Sequence, residues 1–172
     1  MKKFMTWFSI AISFVLLTTS VTKADSRQLL SSSRDWDAFK LSTDSGETVC
    51  YMISVPKVKT PKSLRHGNPV VMVTHKPKKA IMNEFNFIAG YKFQTGSAVR
   101  VTIDKGRKED LFTSDDGAWA YDPKQDAAIV ASLKRGNSLM LNATSGRGNA
   151  TSYRFSLAGF TAAHNAITNA CR

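Results

Sequence analysis

Short segments in which apolar and polar residues alternate make up most of the chain, and turn-forming residues separate them. The clearest segment covers residues 84–93, where the two-residue period of a strand places five side chains on one side: Phe85, Phe87, Ala89, Tyr91 and Phe93. After the turn at residues 95–97, a second segment has Val99, Val101 and Ile103 on its apolar side. The pattern predicts half-buried antiparallel strands joined by tight turns.

Further strands are predicted over residues 35–39, 50–55, 70–75, 117–121, 138–144 and 152–157. The polar residues 25–33 are expected to fray.

The hydrophobic period changes to that of a helix twice. The first change follows Asp122-Pro123, a typical helix start, and the predicted helix ends before Gly136. The second covers residues 160–170, with one apolar stripe of Phe160, Ala163, Ile167, Ala170 and Cys171. We therefore predict a mainly β fold, a single-domain antiparallel β-sandwich with two short helices.

Residues 1–24 have the features of a secretory signal peptide. Lys2 and Lys3 precede an apolar core at residues 8–17, and Thr22-Lys23-Ala24 supplies small residues at a cleavage site. The core is shorter than the roughly 20 apolar residues that span a bilayer, although a retained N-terminal anchor is the rival interpretation. We expect a mature domain of residues 25–172 that has no transmembrane segment and is exported.

The chain has two cysteines, Cys50 and Cys171. In an oxidising compartment two cysteines more often form a disulfide than remain as thiols. A Cys50–Cys171 bridge would clip the C-terminal helix to the first third of the domain. Two buried free cysteines are the alternative.

The chain is strongly basic, with 24 Lys and Arg against 13 Asp and Glu and a net charge of +11. Residues 48–83 contain no acidic residue, but they contain seven cations: Lys57, Lys59, Lys62, Arg65, Lys76, Lys78 and Lys79. Gathered on one face, these side chains would attract an anionic envelope or host-surface component, whether lipid headgroup, polysaccharide or protein. The alternative is a solvated surface that only sets the isoelectric point. Nucleic acid is not expected, because the patch lacks interleaved aromatic residues.

No assembled catalytic motif is evident. The three histidines, His66, His75 and His164, are scattered, and no Gly-x-Ser-x-Gly motif frames a serine. Asp115-Asp116 before Gly117 indicates a turn rather than a calcium loop. We expect no enzymatic activity, no cofactor and no metal. The alternative is a small periplasmic hydrolase or metal-dependent enzyme with an unrecognised site.

The chain contains, in this order, the blocks VMVTHKP at 71–77, NEFNFIAGYKF at 83–93, GAWA at 117–120, LKRG at 133–136, TSGRG at 144–148 and YRFSLAGFTAA at 153–163, followed by Cys171. Together these blocks resemble the invasion-associated locus B family of exported Gram-negative proteins. The resemblance implies an exported, non-catalytic envelope protein that is periplasmic, or secreted beyond the outer membrane. It also implies a link to host-cell invasion or colonisation and no known cofactor. Lys92 replaces a proline that is usual in the family, which favours a strand continuing through that position.

Overall fold

A computed structural model describes residues 26–106 and 108–172; the predicted signal peptide lies outside the described residues. The strands are β1 (Ser26–Ser33), β2 (Trp36–Ser42), β3 (Thr48–Ser54), β4 (Val58–Thr60), β5 (Val70–Lys76), β6 (Ile81–Ile88), β7 (Ala98–Ile103), β8 (Lys108–Ser114), β9 (Gly117–Trp119), β10 (Ser138–Thr144) and β11 (Ala150–Ser156). The helices are α1 (Pro123–Leu133) and α2 (Phe160–Ala170), and a 3-10 turn covers Pro77–Lys79.

The strands form one continuous eleven-stranded antiparallel sheet in the order β1-β2-β3-β5-β6-β9-β8-β7-β10-β11-β4. The sheet bends back over itself, because Phe87 on β6 packs against Tyr153 and Phe155 on β11, with ring centroids 5.3 and 6.3 Å apart. The two layers of the predicted sandwich are therefore two parts of one sheet. The predicted mainly β, antiparallel fold with two short helices is confirmed.

The core lies between these layers and follows the predicted alternation. Phe85, Phe87 and Ala89 are fully buried, as are Val99 and Val101. Because the register sends alternate side chains to the same interior, this set supplies a continuous apolar centre.

Two predictions about the strands are wrong, and the strand predicted over residues 117–121 ends at Trp119. Residues 26–33 do not fray: they form β1, whose backbone pairs with β2 from Ser26↔Ser42 to Ser33↔Trp36. Their mainly polar side chains suit an edge strand, in which backbone pairing rather than side-chain burial holds the segment.

The strand predicted over residues 84–93 ends at Ile88 instead of continuing through Lys92. Gly90 has φ 73°, and a side chain there would place its Cβ 2.8 Å from the backbone nitrogen of Asn68. The chain turns at Gly90 instead of continuing as a strand. The positive φ and the close approach of Asn68 both favour glycine, which has no side chain. Phe93 then makes one isolated bridge, to Ser145, and its side chain still reaches the core.

The two helices occupy different places. Helix α1 packs against β6, whereas α2 packs against β1, β2, β3 and β5. Phe160, at the start of α2, meets Trp36 edge to face at 4.9 Å. Helix α2 therefore closes the core on the side of the first three strands.

Candidate functional site

The predicted disulfide is present. Cys50 on β3 and Cys171 at the end of α2 are bridged, with Cα atoms 5.9 Å apart and a sequence separation of 121 positions. Both residues are buried. The bridge therefore fastens the last helix to the central part of the sheet.

The seven predicted cations separate into two groups. The first, which we call the β4 group, contains Lys57, Lys59, Lys62 and Arg65 and surrounds the edge strand β4. The second, the β5-end group, contains Lys76, the last residue of β5, and Lys78 and Lys79 in the 3-10 turn that follows. Since the seven residues of β5 span roughly 20 Å, the two groups lie at opposite ends of that strand. The seven cations therefore form two groups rather than one cluster.

The β5-end group is largely neutralised. Lys76 Nζ lies 2.8 Å from Glu84 Oε1, and Lys79 Nζ lies 3.4 Å from Glu47 Oε1. Lys78 Nζ donates to the carbonyl oxygen of Gly46 at 2.6 Å. Residues 48–83 contain no acidic residue, but Glu47 and Glu84 lie just outside this interval and reach its lysines. They can do so because β3, β5 and β6 are neighbours in the sheet.

The β4 group keeps more of its charge. Lys57 is paired with Asp35, and the hydrogen bond from this lysine holds the pKa of Asp35 below its usual value. Lys59 Nζ donates to the carbonyl oxygen of Gly67 at 3.4 Å. Lys62 and Arg65 are exposed and have no ion pair with any residue that the structure describes. Lys59 and Lys78 also lack a carboxylate partner but donate to carbonyl oxygens, so Lys62 and Arg65 are the cations of the predicted patch whose side chains have no hydrogen-bond or ion-pair partner among the described residues.

A buried histidine pair joins α2 to the sheet. His75 on β5 and His164 on α2 have ring centroids 5.4 Å apart at an interplanar angle of 82°. The backbone N–H of Asn83 donates to His75 Nδ1 at 3.0 Å, so Nε2 carries the proton and donates to Thr168 Oγ1 at 3.2 Å. His164 Nε2 lies 2.7 Å from Asn83 Oδ1. Asn83 and Thr168 therefore bind the two rings from opposite sides.

Both histidines of the pair are held neutral. Burial lowers the pKa of His75, and nearby Lys134 lowers it further. Burial, then Lys134, then His75 lower the pKa of His164 to about 4. An imidazolium here would lose its solvation without gaining a carboxylate partner. The pair is a neutral hydrogen-bonded connection between helix and sheet.

His66 belongs to a separate buried network. Its Nε2 lies 2.7 Å from the carbonyl oxygen of Pro61, and its Nδ1 lies 3.0 Å from the hydroxyl of Tyr153. The Tyr153 hydroxyl donates to Tyr91 Oη at 3.1 Å, and the Tyr91 and Thr151 hydroxyls are 2.6 Å apart. Burial raises the pKa of Tyr153. This network ties the loop after β4 to β11.

Sequence reasoning missed a cavity between β6, β8, β9 and the start of α1. Its volume is about 340 Å³, and we call it the aromatic cavity; its lining residues are Ile81, Glu84, Phe85, Phe112, Trp119, Ala120, Tyr121, Asp122, Pro123 and Asp126. Phe112 is stacked on Trp119 and is also in contact with Tyr121, with centroids 5.8 and 5.6 Å apart. The sequence signal for this cavity was the aromatic pair Trp119 and Tyr121, which the prediction assigned to a strand over residues 117–121.

Asp126 on α1 is the most perturbed carboxyl of this cavity. Its Oδ1 accepts a hydrogen bond from the backbone N–H of Phe85 at 2.8 Å. Burial raises the pKa of Asp126 to about 6; the Phe85 hydrogen bond opposes the rise, and the charges of Glu84 and Asp122 add to it.

Among the described residues, no group of three or more His, Cys, Asp or Glu side chains is arranged to hold a metal ion. Within the same residues, no helix has the length and apolar character needed to cross a membrane.

Known proteins share the sequence features and the fold of this chain. The family described as "Invasion associated locus B (IalB) protein" matches residues 36–168. The chain belongs to this family, as its sequence blocks predicted. A crystal structure of invasion associated protein b from Bartonella henselae matches with a TM-score of 0.55 and 17% sequence identity, over 81% of this chain and 96% of that chain. That likeness shows a shared fold. A search of curated proteins found no match.

Proposed function

We propose that this member of an invasion-associated family is an exported, non-catalytic protein that contributes to host-cell invasion or colonisation by binding an anionic envelope or host-surface component. The observation that carries the binding step is the β4 group, in which Lys62 and Arg65 are exposed and lack an acidic partner among the described residues. Two free cations beside Lys57 and Lys59 create a local positive potential that raises the concentration of a polyanion and speeds its capture.

The β5-end group contributes less to this proposal. A polyanion binding there would have to displace Glu84 from Lys76 and Glu47 from Lys79. Because each displacement sacrifices an existing ion pair, the net gain is smaller than for the free cations of the β4 group. Anionic partners should therefore prefer one end of β5.

A hydrolase is the less supported function. The rings of His66, His75 and His164 are all buried, and each is hydrogen-bonded to groups that join one part of the fold to another. A general base needs a nitrogen within reach of substrate, whereas these nitrogens contact Pro61, Tyr153, Asn83 and Thr168.

The binding step is tested with three charge-reversal variants measured on heparin and on anionic vesicles. The first is Lys62→Glu with Arg65→Glu, the second reverses Lys76, Lys78 and Lys79, and the control reverses Lys105 and Lys124, two exposed lysines elsewhere. We expect the first variant to lose retention most, although it changes fewer charges than the second. Retention of the wild type should fall with salt, as the screening length shortens from about 10 Å at 0.1 M to about 3 Å at 1 M. Equal retention of the first variant and the control would remove the β4 group from the proposal.

Export and the host-cell role need separate measurements. Mass spectrometry of periplasmic and culture fractions should find a chain that begins at Asp25, and intact Met1 in the cytoplasm would contradict export. In a deletion strain, the wild-type gene should restore host-cell entry better than the Lys62→Glu, Arg65→Glu variant. If both proteins are present in equal amounts and restore host-cell entry equally, host-cell entry does not depend on anion binding by the β4 group.

A further inference from the structure

The aromatic cavity exists because β9 is too short to cover its neighbour. Strand β9 pairs with β6 only from Asn86 to Ile88, so the first half of β6 has no strand on that side. Helix α1 takes the place of the missing strand, and Asp126 accepts the Phe85 N–H that a strand partner would otherwise have taken. A helix does not follow a strand edge closely, and a recess of about 340 Å³ remains beside it. This volume falls in the range of small-molecule sites, roughly 300–1,000 Å³.

Three aromatic rings form one wall of the recess, and two of them are unusually exposed. Phe112 is 39% exposed and Tyr121 is 64% exposed, among the few large apolar side chains of the described residues that face solvent. The rings are held against each other by the stacking of Phe112 on Trp119, at an interplanar angle of 29°, and by the contact with Tyr121. Apolar surface kept in water and fixed in position is typical of a binding site.

The remaining polar lining is acidic. Glu84, Asp122 and Asp126 contribute three carboxyl groups, and none of the lysines and arginines that the structure describes lines the cavity, although the chain carries a net charge of +11. Lys76 reaches Glu84 from β5, so part of that charge is already balanced. Asp122 accepts a hydrogen bond from the Gln125 backbone N–H, and Asp126 accepts one from Phe85. The recess is thus negative within a basic protein, and a cationic guest is the one that complements it.

From this arrangement we propose that the aromatic cavity binds a quaternary ammonium group. The negative faces of the aromatic rings attract a cation, and ring-lined cavities with carboxylates nearby are the usual receptors for methylated ammonium groups. A quaternary ammonium is weakly hydrated and sheds its water more readily than a primary ammonium does. Occupation would relieve the repulsion among Glu84, Asp122 and Asp126. This proposal is independent of anion binding by the β4 group.

The test is an NMR titration of the folded domain with choline, following the aromatic resonances of Trp119 and Tyr121. The matched probe is 3,3-dimethyl-1-butanol, in which carbon replaces the charged nitrogen at nearly the same shape. We expect saturable shifts with choline and binding at least about tenfold weaker with the neutral compound, a factor within the energy of a desolvated cation–π contact. Methylammonium should bind more weakly than choline. Sedimentation with phosphatidylcholine vesicles then distinguishes a lipid headgroup from a free small molecule as the source.

Two variants test whether choline binds in the aromatic cavity. Asp126→Asn keeps an oxygen for the Phe85 N–H but removes the charge, and Tyr121→Ala removes a largely exposed ring; each should weaken choline binding about fivefold or more. The control Asp37→Asn removes a carboxylate from β2, far from the cavity, and should bind like the wild type. Equal binding of the neutral compound and choline would overturn the proposal, as would saturable shifts with glucose but not choline. Absence of saturable shifts in a protein whose spectrum shows a native fold would overturn it as well.

Discussion

The two helices have the same length, 11 residues each, but they are stabilised in opposite ways. Helix α1 begins with local signals: Pro123 is its first residue, and Asp122 Oδ1 accepts from the Gln125 N–H at 2.8 Å. Gln125 Oε1 in turn accepts from the Tyr121 N–H at 2.7 Å. This reciprocal arrangement satisfies backbone donors that a helix start leaves open.

Helix α2 has no such signals. Its N-terminal cap is Gly159, whose φ is 92° and which offers no side-chain acceptor. A side chain at Gly159 would place its Cβ 1.8 Å from the carbonyl oxygen of Ser33. Helix α2 is instead held by distant residues: Trp36 against Phe160, Asn83 against His164, and Cys50 through the disulfide. Local capping therefore fixes the start of α1, while tertiary contacts hold the start of α2.

The largest effect should come from the disulfide. Cys171→Ser should lower the free energy of unfolding by roughly 4–5 kcal/mol, because a loop of about this length loses its constraint in the unfolded chain. Chemical denaturation under oxidising conditions measures the change. The double variant Cys50→Ser, Cys171→Ser should match the single one, and reductant should lower the stability of the wild type alone. A single variant as stable as the wild type would mean that noncovalent contacts suffice to hold α2.

Phe160 should be the next most important contact. It is 1% exposed and packs on Trp36, so Phe160→Ala should cost about 3–5 kcal/mol by leaving a cavity beneath the helix. The conservative variant Phe160→Leu should lose much less. Equilibrium unfolding, with the disulfide intact in every variant, provides the comparison. A loss below about 1 kcal/mol, typical of a surface site, would show that the start of α2 is not anchored there.

The helices should respond oppositely to acid. The pKa of His164 falls from 6.5 to about 4 on folding, so the unfolded chain binds more protons between these values. Its stabilising contribution is complete above about pH 6.5 and is lost as the pH falls through 4, by on the order of 3 kcal/mol. The pKa of Asp126 rises from 3.8 to about 6, so its contribution to stability is complete below about pH 3.8 and is lost as the pH rises through 6.

Two variants separate these contributions. His164→Gln should flatten the loss of stability between pH 6.5 and 4, and Asp126→Asn should make that loss steeper. Melting temperatures across this range, referred to the value of each protein at pH 7, give the slopes. Parallel curves for the wild type and His164→Gln would contradict the neutral histidine pair.

The smallest effect concerns the local start of α1. Asp122→Ala should cost about 1 kcal/mol, because the Gln125 N–H loses its acceptor. Asp122→Asn should retain most of the stability, since its side-chain oxygen can still accept. Circular dichroism during denaturation should show fraying of α1 with little change at the disulfide end. A loss as large as that of Phe160→Ala would indicate that α1 also depends mainly on distant contacts.

The apolar–polar pattern of the sequence predicted much of the fold. The alternation at Phe85, Phe87, Val99 and Val101 predicted the buried sides of β6 and β7, and Asp122-Pro123 marked the start of α1. The patterns failed at β1, whose polar side chains carry no burial signal, and at Gly90, where the alternation continues but the backbone turns. Backbone pairing and glycine conformation leave little trace in an apolar–polar pattern.

The candidate sites were less predictable. Lys76 and Lys79 lie in an acid-free interval of sequence, yet Glu84 and Glu47 meet them in the folded protein. His75 and His164 are 89 positions apart by their numbers, yet their rings are in contact. Neither relation follows from spacing along the chain.

What the sequence determined by itself was most of the local conformations, the available disulfide and the family, because periodicity, caps and block order are properties of neighbouring residues. Only the tertiary structure decided which cations are neutralised, which histidines pair and where Phe112, Trp119 and Tyr121 border a cavity. These outcomes depend on strand order and register: β6 lies between β5 and β9, and α1 replaces a strand at its edge. Electrostatic and aromatic contacts act over a few ångströms of space, and that proximity is set by the folded sheet rather than by distance along the chain.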